Sequence, residues 1–196
     1  MALSVGRAVP ARLADAVVTD RAGDTARLGD AWKDGPALLV FLRHFACLTC
    51  HEHVTMLMPR VPELRTLGLT VVFVGNGEPR YIDAFIERTG VLPELVEVVT
   101  DPSLRAFEAA GMLHGFWTAF GFRAVLNVVK AFLMGFRQKA IEGDNLQQGG
   151  MVVVDGEGKV VFEHADRVTG DHADTGDVLH AAMKTAALQG RDVGLV

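Results

Sequence analysis

Cysteine is scarce in this chain: its 196 residues contain two, Cys47 and Cys50, set two residues apart. No disulfide can therefore staple distant parts together, which excludes the small secreted scaffolds. Basic residues are also thin, with 19 Lys and Arg against 24 Asp and Glu and no basic run. The clustered positive charge that a phosphate backbone demands is missing, so no nucleic acid partner is expected. Long apolar runs are absent too. Arg7, Pro10, Arg12 and Asp15 break up the first twenty or so residues, so no secretory leader is read there and a cytoplasmic location is expected. Arg123 and Lys130 interrupt the most aromatic stretch well short of the roughly 18 uncharged residues of a membrane span, so no transmembrane segment is expected.

What is present describes an ordinary globular protein, 49% hydrophobic and 22% charged. One domain over residues 1–196 is expected, without internal repeats or low-complexity linkers. The run Ala37-Leu-Leu-Val-Phe41 after Asp34-Gly-Pro36 has the profile of a buried parallel strand. Beyond the cysteines, Val54, Leu57, Met58, Val61, Leu64 and Leu67 recur at helical spacing, with Pro59 and Pro62 placed to kink or split the helix. Gly68 closes it, and Leu69 to Val74 reads as a second buried strand. A helix over 79–88, a strand over 95–99 and a short helix after Asp101-Pro-Ser103 continue the alternation that builds a parallel sheet.

The rhythm then changes. Met151-Val-Val-Val154 and Val160-Val-Phe162 flank Asp155-Gly-Glu-Gly158 and predict an antiparallel hairpin. A last helix over 175–188 can cover one face of the sheet. Between the short helix and the hairpin, about 112–148, lies an aromatic-rich insertion containing Phe116, Trp117, Phe120, Phe122, Phe132 and Phe136. Phe116, Phe120, Ala124, Val128, Phe132 and Phe136 repeat every fourth residue and predict a helix with one apolar stripe, suited to core or dimer packing, to a lid over a hydrophobic substrate, or to a membrane surface.

The chemistry concentrates where the first buried strand gives way to a helix. A cysteine there meets unpaired backbone N–H groups and the positive end of the helix dipole, and both favour the thiolate. Cys47, the more N-terminal, is expected to be exposed and attacking, and Cys50, one turn on, to be the resolving thiol. Arg43 and His44 stand just upstream; each either stabilises the thiolate or orients a substrate, or else Arg43 is a solvated strand-end charge and His44 bonds backbone. Thr49 either donates to a sulfur or caps the helix. Gly149 and Gly150 would let backbone approach the active loop closely. His51 and His53 read as residues of a polar helix face, and Glu52 as a first-turn charge that stabilises the helix dipole or else shuttles a proton. Other chemistries fit the same residues: Cys47-Leu-Thr-Cys50-His51 has the haem-attachment pattern, Cys47, Cys50, His51 and His53 offer metal ligands, and two buried inert cysteines would do nothing. No metal or other cofactor is called for by the leading reading, a redox pair.

Leu39-Val-Phe-Leu-Arg-His-Phe-Ala-Cys-Leu-Thr-Cys50 resembles the active-site strand and loop of the peroxiredoxin-like branch of the alkyl hydroperoxide reductase/thiol-specific antioxidant (AhpC/TSA) family. Val98-Val-Thr-Asp-Pro-Ser-Leu-Arg-Ala-Phe107 and Gly143-Asp-Asn-Leu-Gln-Gln-Gly-Gly150 with Met151-Val-Val-Val-Asp155 extend the resemblance over roughly residues 11–188. It implies an α/β thioredoxin-like fold, a central mixed sheet flanked by helices, with the helical insertion before the C-terminal hairpin. It implies an enzyme that reduces a peroxide, an endoperoxide or a disulfide through Cys47 and Cys50, with thioredoxin or a similar dithiol as reductant. A homodimer is compatible with that reading. A CxxC module holding a metal, and a redox sensor without turnover, are the competing classes. The chain departs from typical peroxiredoxins by carrying Val40 and His44 where they have Pro and Thr, and from thioredoxins by carrying Gly149-Gly150 in place of the cis-proline. For the peroxiredoxin site arginine, Arg123 and Arg137 are the candidates within the insertion.

Overall fold

The computed structural model describes residues 3–115, 122–135 and 142–189. Its centre is β3 (Ala37–Phe41), five apolar residues buried without exception. Alternate side chains of a strand point to opposite faces. Leu38 and Val40 accordingly enter one core, and Ala37, Leu39 and Phe41 enter another on the far side. A strand buried on both faces needs covering layers on both, and the helices supply them.

Seven strands form one sheet in the order β2-β1-β5-β4-β3-β6-β7. The others are β1 (Val17–Thr19), β2 (Thr25–Arg27), β4 (Thr70–Gly75), β5 (Glu97–Thr100), β6 (Gly150–Val154) and β7 (Val160–Ala165). β3, β4 and β5 run parallel, whereas β6 pairs antiparallel to β3 and β7 to β6. The alternation read from the sequence, its parallel centre and its terminal hairpin are all present, although β5 lies further along than 95–99. The strands β1 and β2 were not expected. Only Val18 of these six residues is buried, so neither carries a hydrophobic run that would signal a strand.

On one face lie α2 (Leu48–Leu57), α3 (Val61–Thr66), α4 (Ile82–Thr89) and the last helix, α7 (Thr175–Leu188), which contribute Val54, Leu64, Phe85 and Val178 to the core. On the other lie α1 (Ala11–Ala14) and α5 (Arg105–Ala110), with Leu13 and Phe107. Pro59 and Pro62 split α2 from α3 through one turn of tighter helix, as a ring that lacks an N–H should. α3 ends at Gly68, whose φ of +87° favours glycine; its amide bonds the Arg65 carbonyl and the next amide bonds Leu64.

In the insertion, α6 (Phe122–Leu133) packs against α2. The two described side chains of the expected four-residue stripe are not on the face turned inward. Ala131 is buried and Asn127 reaches the Thr169 carbonyl, while Val128 and Phe132 are largely exposed. Phe116, Trp117, Phe120, Phe136 and Arg137 lie outside the described residues, as do the side chains of Phe122, Arg123 and Ala124. Among the described residues no helix is long and apolar enough to cross a membrane.

β6 is laid against β3 in register Phe41 to Gly150, so the chain passes close to the strand end just before it. A Cβ on Gly149 would stand 2.3 Å from the Phe41 carbonyl oxygen, and one on Gly150 would stand 2.3 Å from that of His164. Gly149 permits a close approach to the strand end that launches the cysteine loop, whereas the close approach at Gly150 is to β7 and Met112, away from that loop. Gly149→Ala is expected to lower stability by about 1–3 kcal/mol, the usual cost of overpacking, read as a lower urea midpoint; an unchanged midpoint contradicts the close approach.

Candidate active site

The chain leaves β3 at Phe41, crosses a buried loop of residues 42–46, and starts α2 with Cys47 as N-cap. Its sulfur accepts the Cys50 N–H at 3.4 Å, in the place a serine or aspartate oxygen usually fills. The Thr49 hydroxyl lies 3.3 Å from the same sulfur and Arg43 Nη1 points at it from 3.7 Å. Cys47 and Cys50 are both free thiols and both 1% exposed, so the exposure expected of Cys47 is not found: the loop that enters β6 covers its sulfur through Arg43. Of the residues singled out in the sequence, Cys47, Cys50, Thr49 and Arg43 therefore meet around one sulfur.

Burial alone would raise the Cys47 thiol. The hydrogen bond with Cys50, the charges of His44 and Arg43, and the Thr49 hydroxyl outweigh it and hold Cys47 well below the ordinary thiol range. Cys50 moves oppositely: burial, then its bond to Cys47 and the negative charge there, push it well above that range. Two cysteines three residues apart are thus shifted in opposite directions, Cys47 toward the thiolate and Cys50 toward the neutral thiol.

Arg43 is 6% exposed and is held by the loop that enters β6. Its Nε donates to the Gln147 carbonyl at 3.1 Å and its Nη2 to that of Asn145. The strand-end arginine read as either solvated or functional is therefore buried, with one amino group left for the sulfur. His44 is buried as well, and its carbonyl takes the Cys47 N–H at 3.0 Å. Burial drives its imidazole down, with Arg43 adding to the effect against the opposing pull of Cys47, so Arg43 is the permanent positive charge at the site. Its Nδ1 has no hydrogen-bond partner among the described residues.

Several contacts that position this loop carried no sequence signal. Asn76, at the end of β4, donates to the Arg43 carbonyl and accepts the Asp144 N–H at 2.9 Å, tying the two loops together. Arg88 of α4 pairs with Glu142 and donates to the Phe45 carbonyl at 3.3 Å. Phe45 seats its ring so tightly on Gly75 that a Cβ there would overlap it, which explains a glycine at the end of a buried strand. His51 and His53, expected on a polar face, are 7% and 5% exposed. His51 Nε2 bonds the Phe45 carbonyl at 2.8 Å, and His53 stacks on His172 with centroids 4.2 Å apart. Their rings are therefore committed elsewhere and do not converge with the two sulfurs on a metal or a haem. Among the described residues no group of three or more His, Cys, Asp or Glu is placed to hold a metal ion.

A family profile described as AhpC/TSA antioxidant enzyme matches residues 56–168. The chain belongs to that family. The match begins beyond Cys50, so it identifies the scaffold independently of the cysteine motif. The thioredoxin-like protein AAED1, chloroplastic, of Arabidopsis thaliana is 26% identical over 186 residues, covering 90% of this chain and 74% of its own length. Peroxiredoxin-like 2C of Mus musculus is 27% identical over 186 residues, with 89% and 80% covered. The bacterioferritin comigratory protein of Xanthomonas campestris, whose structure was determined in relation to alkyl peroxide reduction, superposes with a TM-score of 0.67 at 15% identity, covering 93% of this chain and 99% of that one. These similarities establish the α/β thioredoxin-like fold and a peroxiredoxin-like, thiol-dependent oxidoreductase. They do not favour a metal module or a sensor without turnover.

If Arg43 is the charge that holds the buried thiolate, Arg43→Met raises the pH at which Cys47 ionises. The lost charge-assisted bond corresponds to about 1.5–3 kcal/mol. Ultraviolet thiolate absorbance followed against pH gives the midpoint, and a midpoint that stays put contradicts this assignment.

Proposed function

We propose that Cys47 is the nucleophile toward a hydroperoxide and that Cys50 resolves the product. The observation that carries this is the ring of donors on one sulfur: the Cys50 N–H, the Thr49 hydroxyl and the Arg43 guanidinium. The thiolate attacks one peroxide oxygen, the O–O bond breaks, and the departing alkoxide takes a proton from solvent to become an alcohol. Cys47 is left as a sulfenic acid. The Cys50 thiol then attacks that sulfur, an S–S bond forms, and the hydroxyl leaves as water with the thiol proton. An external dithiol of the thioredoxin kind reduces the disulfide and is itself oxidised to one.

Arg43 serves twice in this scheme, since the charge that stabilises the thiolate also stabilises negative charge developing on the peroxide oxygens. His44 places a buried ring at the same place, and its Nδ1 has no hydrogen-bond partner among the described residues. Thr49 keeps a hydroxyl on the sulfur in a chain that has no threonine three residues before it. Gly149 acts at a distance, by letting the chain that enters β6 lie against the strand that carries the loop, and Gly150 by letting β6 pass close to β7. With both cysteines 1% exposed, a small hydroperoxide reaches the sulfur more readily than a protein disulfide does, so peroxide is the favoured oxidant. The reducing step requires the first turn of α2 to open to its dithiol partner. A reducing compartment such as the cytoplasm and a single domain over residues 1–196 complete the reading. A homodimer is compatible with the exposed apolar side chains of α6.

Peroxide consumption with thioredoxin as reductant tests the roles. Cys47→Ser is expected to abolish turnover. Cys50→Ser is expected to perform one stoichiometric oxidation and then accumulate sulfenic acid on Cys47, trapped with dimedone and located by peptide mass spectrometry. Turnover that survives Cys47→Ser and is lost in Cys50→Ser reverses the assignment.

A further inference from the structure

Beneath the first turn of α2 lies a second group of titratable residues that the thiol chemistry does not use. His172, from the segment before α7, donates or accepts at both ring nitrogens: Nε2 lies 2.9 Å from the Thr49 carbonyl, and Nδ1 lies 3.1 Å from Asp166 Oδ2. Asp166 follows β7 and is 1% exposed, and its amide bonds the Gly149 carbonyl. Thr49 is the residue whose hydroxyl touches Cys47, and the next amide, that of Cys50, is the donor that caps it.

We infer that His172 is a positioning residue that clamps the Thr49 carbonyl, and so holds the Thr49 hydroxyl and the Cys50 N–H on the sulfur, only while the Asp166–His172 pair retains its shared proton. The inference rests on the reading of Cys47 as the reactive sulfur. A carbonyl oxygen can only accept, so Nε2 must carry a hydrogen to bond Thr49. The contact between Nδ1 and Oδ2 then needs one further proton, on either atom. Remove that proton and the two bonds become incompatible. With hydrogen on Nε2, the Nδ1 lone pair faces a carboxylate; with hydrogen on Nδ1, the Nε2 lone pair faces the Thr49 carbonyl.

The surroundings support a retained proton. Burial opposes a charged His172, but the bond and charge of Asp166, the negative Cys47 and the Thr49 carbonyl raise it above the ordinary imidazole range. Burial also raises Asp166 above the ordinary carboxylate range, against the pull of His172 and His164. Both shifts have the same sign, so the clamp is complete below the ordinary histidine range and is lost as pH rises through the raised value. The neighbouring groups are His53 of α2, stacked on the ring, His164 of β7, 3.6 Å from Asp166 Oδ1, and Asp171. Glu52, Lys130 and Asp174 line the adjoining cleft with His53 and His172. His53 is pushed well down by burial and by the charges of His172 and His164, so it does not compete for the proton.

The test follows the Cys50 amide of the reduced full chain by ¹⁵N NMR against pH, without substrate. Two steps are expected in the unmodified protein, one as Cys47 ionises, assigned from the ¹³C shift of its Cβ, and one as the clamp lets go. Asp166→Asn can donate to Nδ1 of a neutral ring without titrating, so it is expected to keep the Cys47 step in place and lose the clamp step. His172→Leu is expected to lose the clamp step and move the Cys47 step upward. A single step in the unmodified protein, a clamp step that persists in Asp166→Asn, or a Cys47 step unmoved in His172→Leu overturns the inference. Should His172→Leu fail to fold, Asp166→Asn decides alone. Because no peroxide enters the experiment, these outcomes are independent of whether Cys47→Ser abolishes turnover.

Discussion

A negative sulfur buried in protein must be compensated by fixed donors, and the rest of this structure is arranged around that requirement. Cys47 receives a backbone N–H from Cys50, a hydroxyl from Thr49 and a guanidinium N–H from Arg43. None of the three is free to wander. The amide belongs to the first turn of α2, the hydroxyl to the residue before it, and the guanidinium is anchored on the carbonyls of Gln147 and Asn145. A site preorganised in this way does not have to reorient its dipoles when charge moves from sulfur to peroxide oxygen.

The same requirement explains why the loop that enters β6 matters so much. It supplies the carbonyls that hold Arg43, it is tied to β4 through Asn76 and to α4 through Arg88 and Glu142, and it passes β3 closely because Gly149 has no side chain. On the other side of the first turn, His172 and Asp166 reach the Thr49 carbonyl. The cysteine pair is thus gripped from two directions. The proposed turnover adds an opposite demand, since a Cys47–Cys50 disulfide would have to be presented to a reductant from a turn that is nearly closed to solvent when reduced.

Much of this was legible in the sequence where local pattern decides the outcome. The β3 run, the proline break after α2, the hairpin and the last helix follow from periodicity and from turn residues, and so does the placing of the cysteine pair at a strand end. Arg43 was recognisable as a candidate, but its burial was not, because the carbonyls that hold it come from a distant loop. His172 and Asp166 were illegible for the same reason: nothing in the spacing of residues 166–172 points to a carbonyl at Thr49. His51 and His53 were misplaced because α2 is covered on more than one side, so the polar face that the two histidines suggest is largely buried. On α6 the described stripe residues Val128 and Phe132 are exposed while Ala131 is buried, which speaks against core packing for that part of the stripe and leaves its other readings open. β1 and β2 escaped because edge strands with one buried residue lack the apolar run by which strands are recognised.

The central claim is that one fold divides two neighbouring cysteines into a buried thiolate and a neutral thiol. Labelling both cysteines with ¹³C at Cβ and following the two resonances of the reduced protein against pH tests it directly. Cys47 should ionise well below the ordinary thiol range and Cys50 well above it. A reversed order, or two cysteines that titrate together in the ordinary range, would contradict the account.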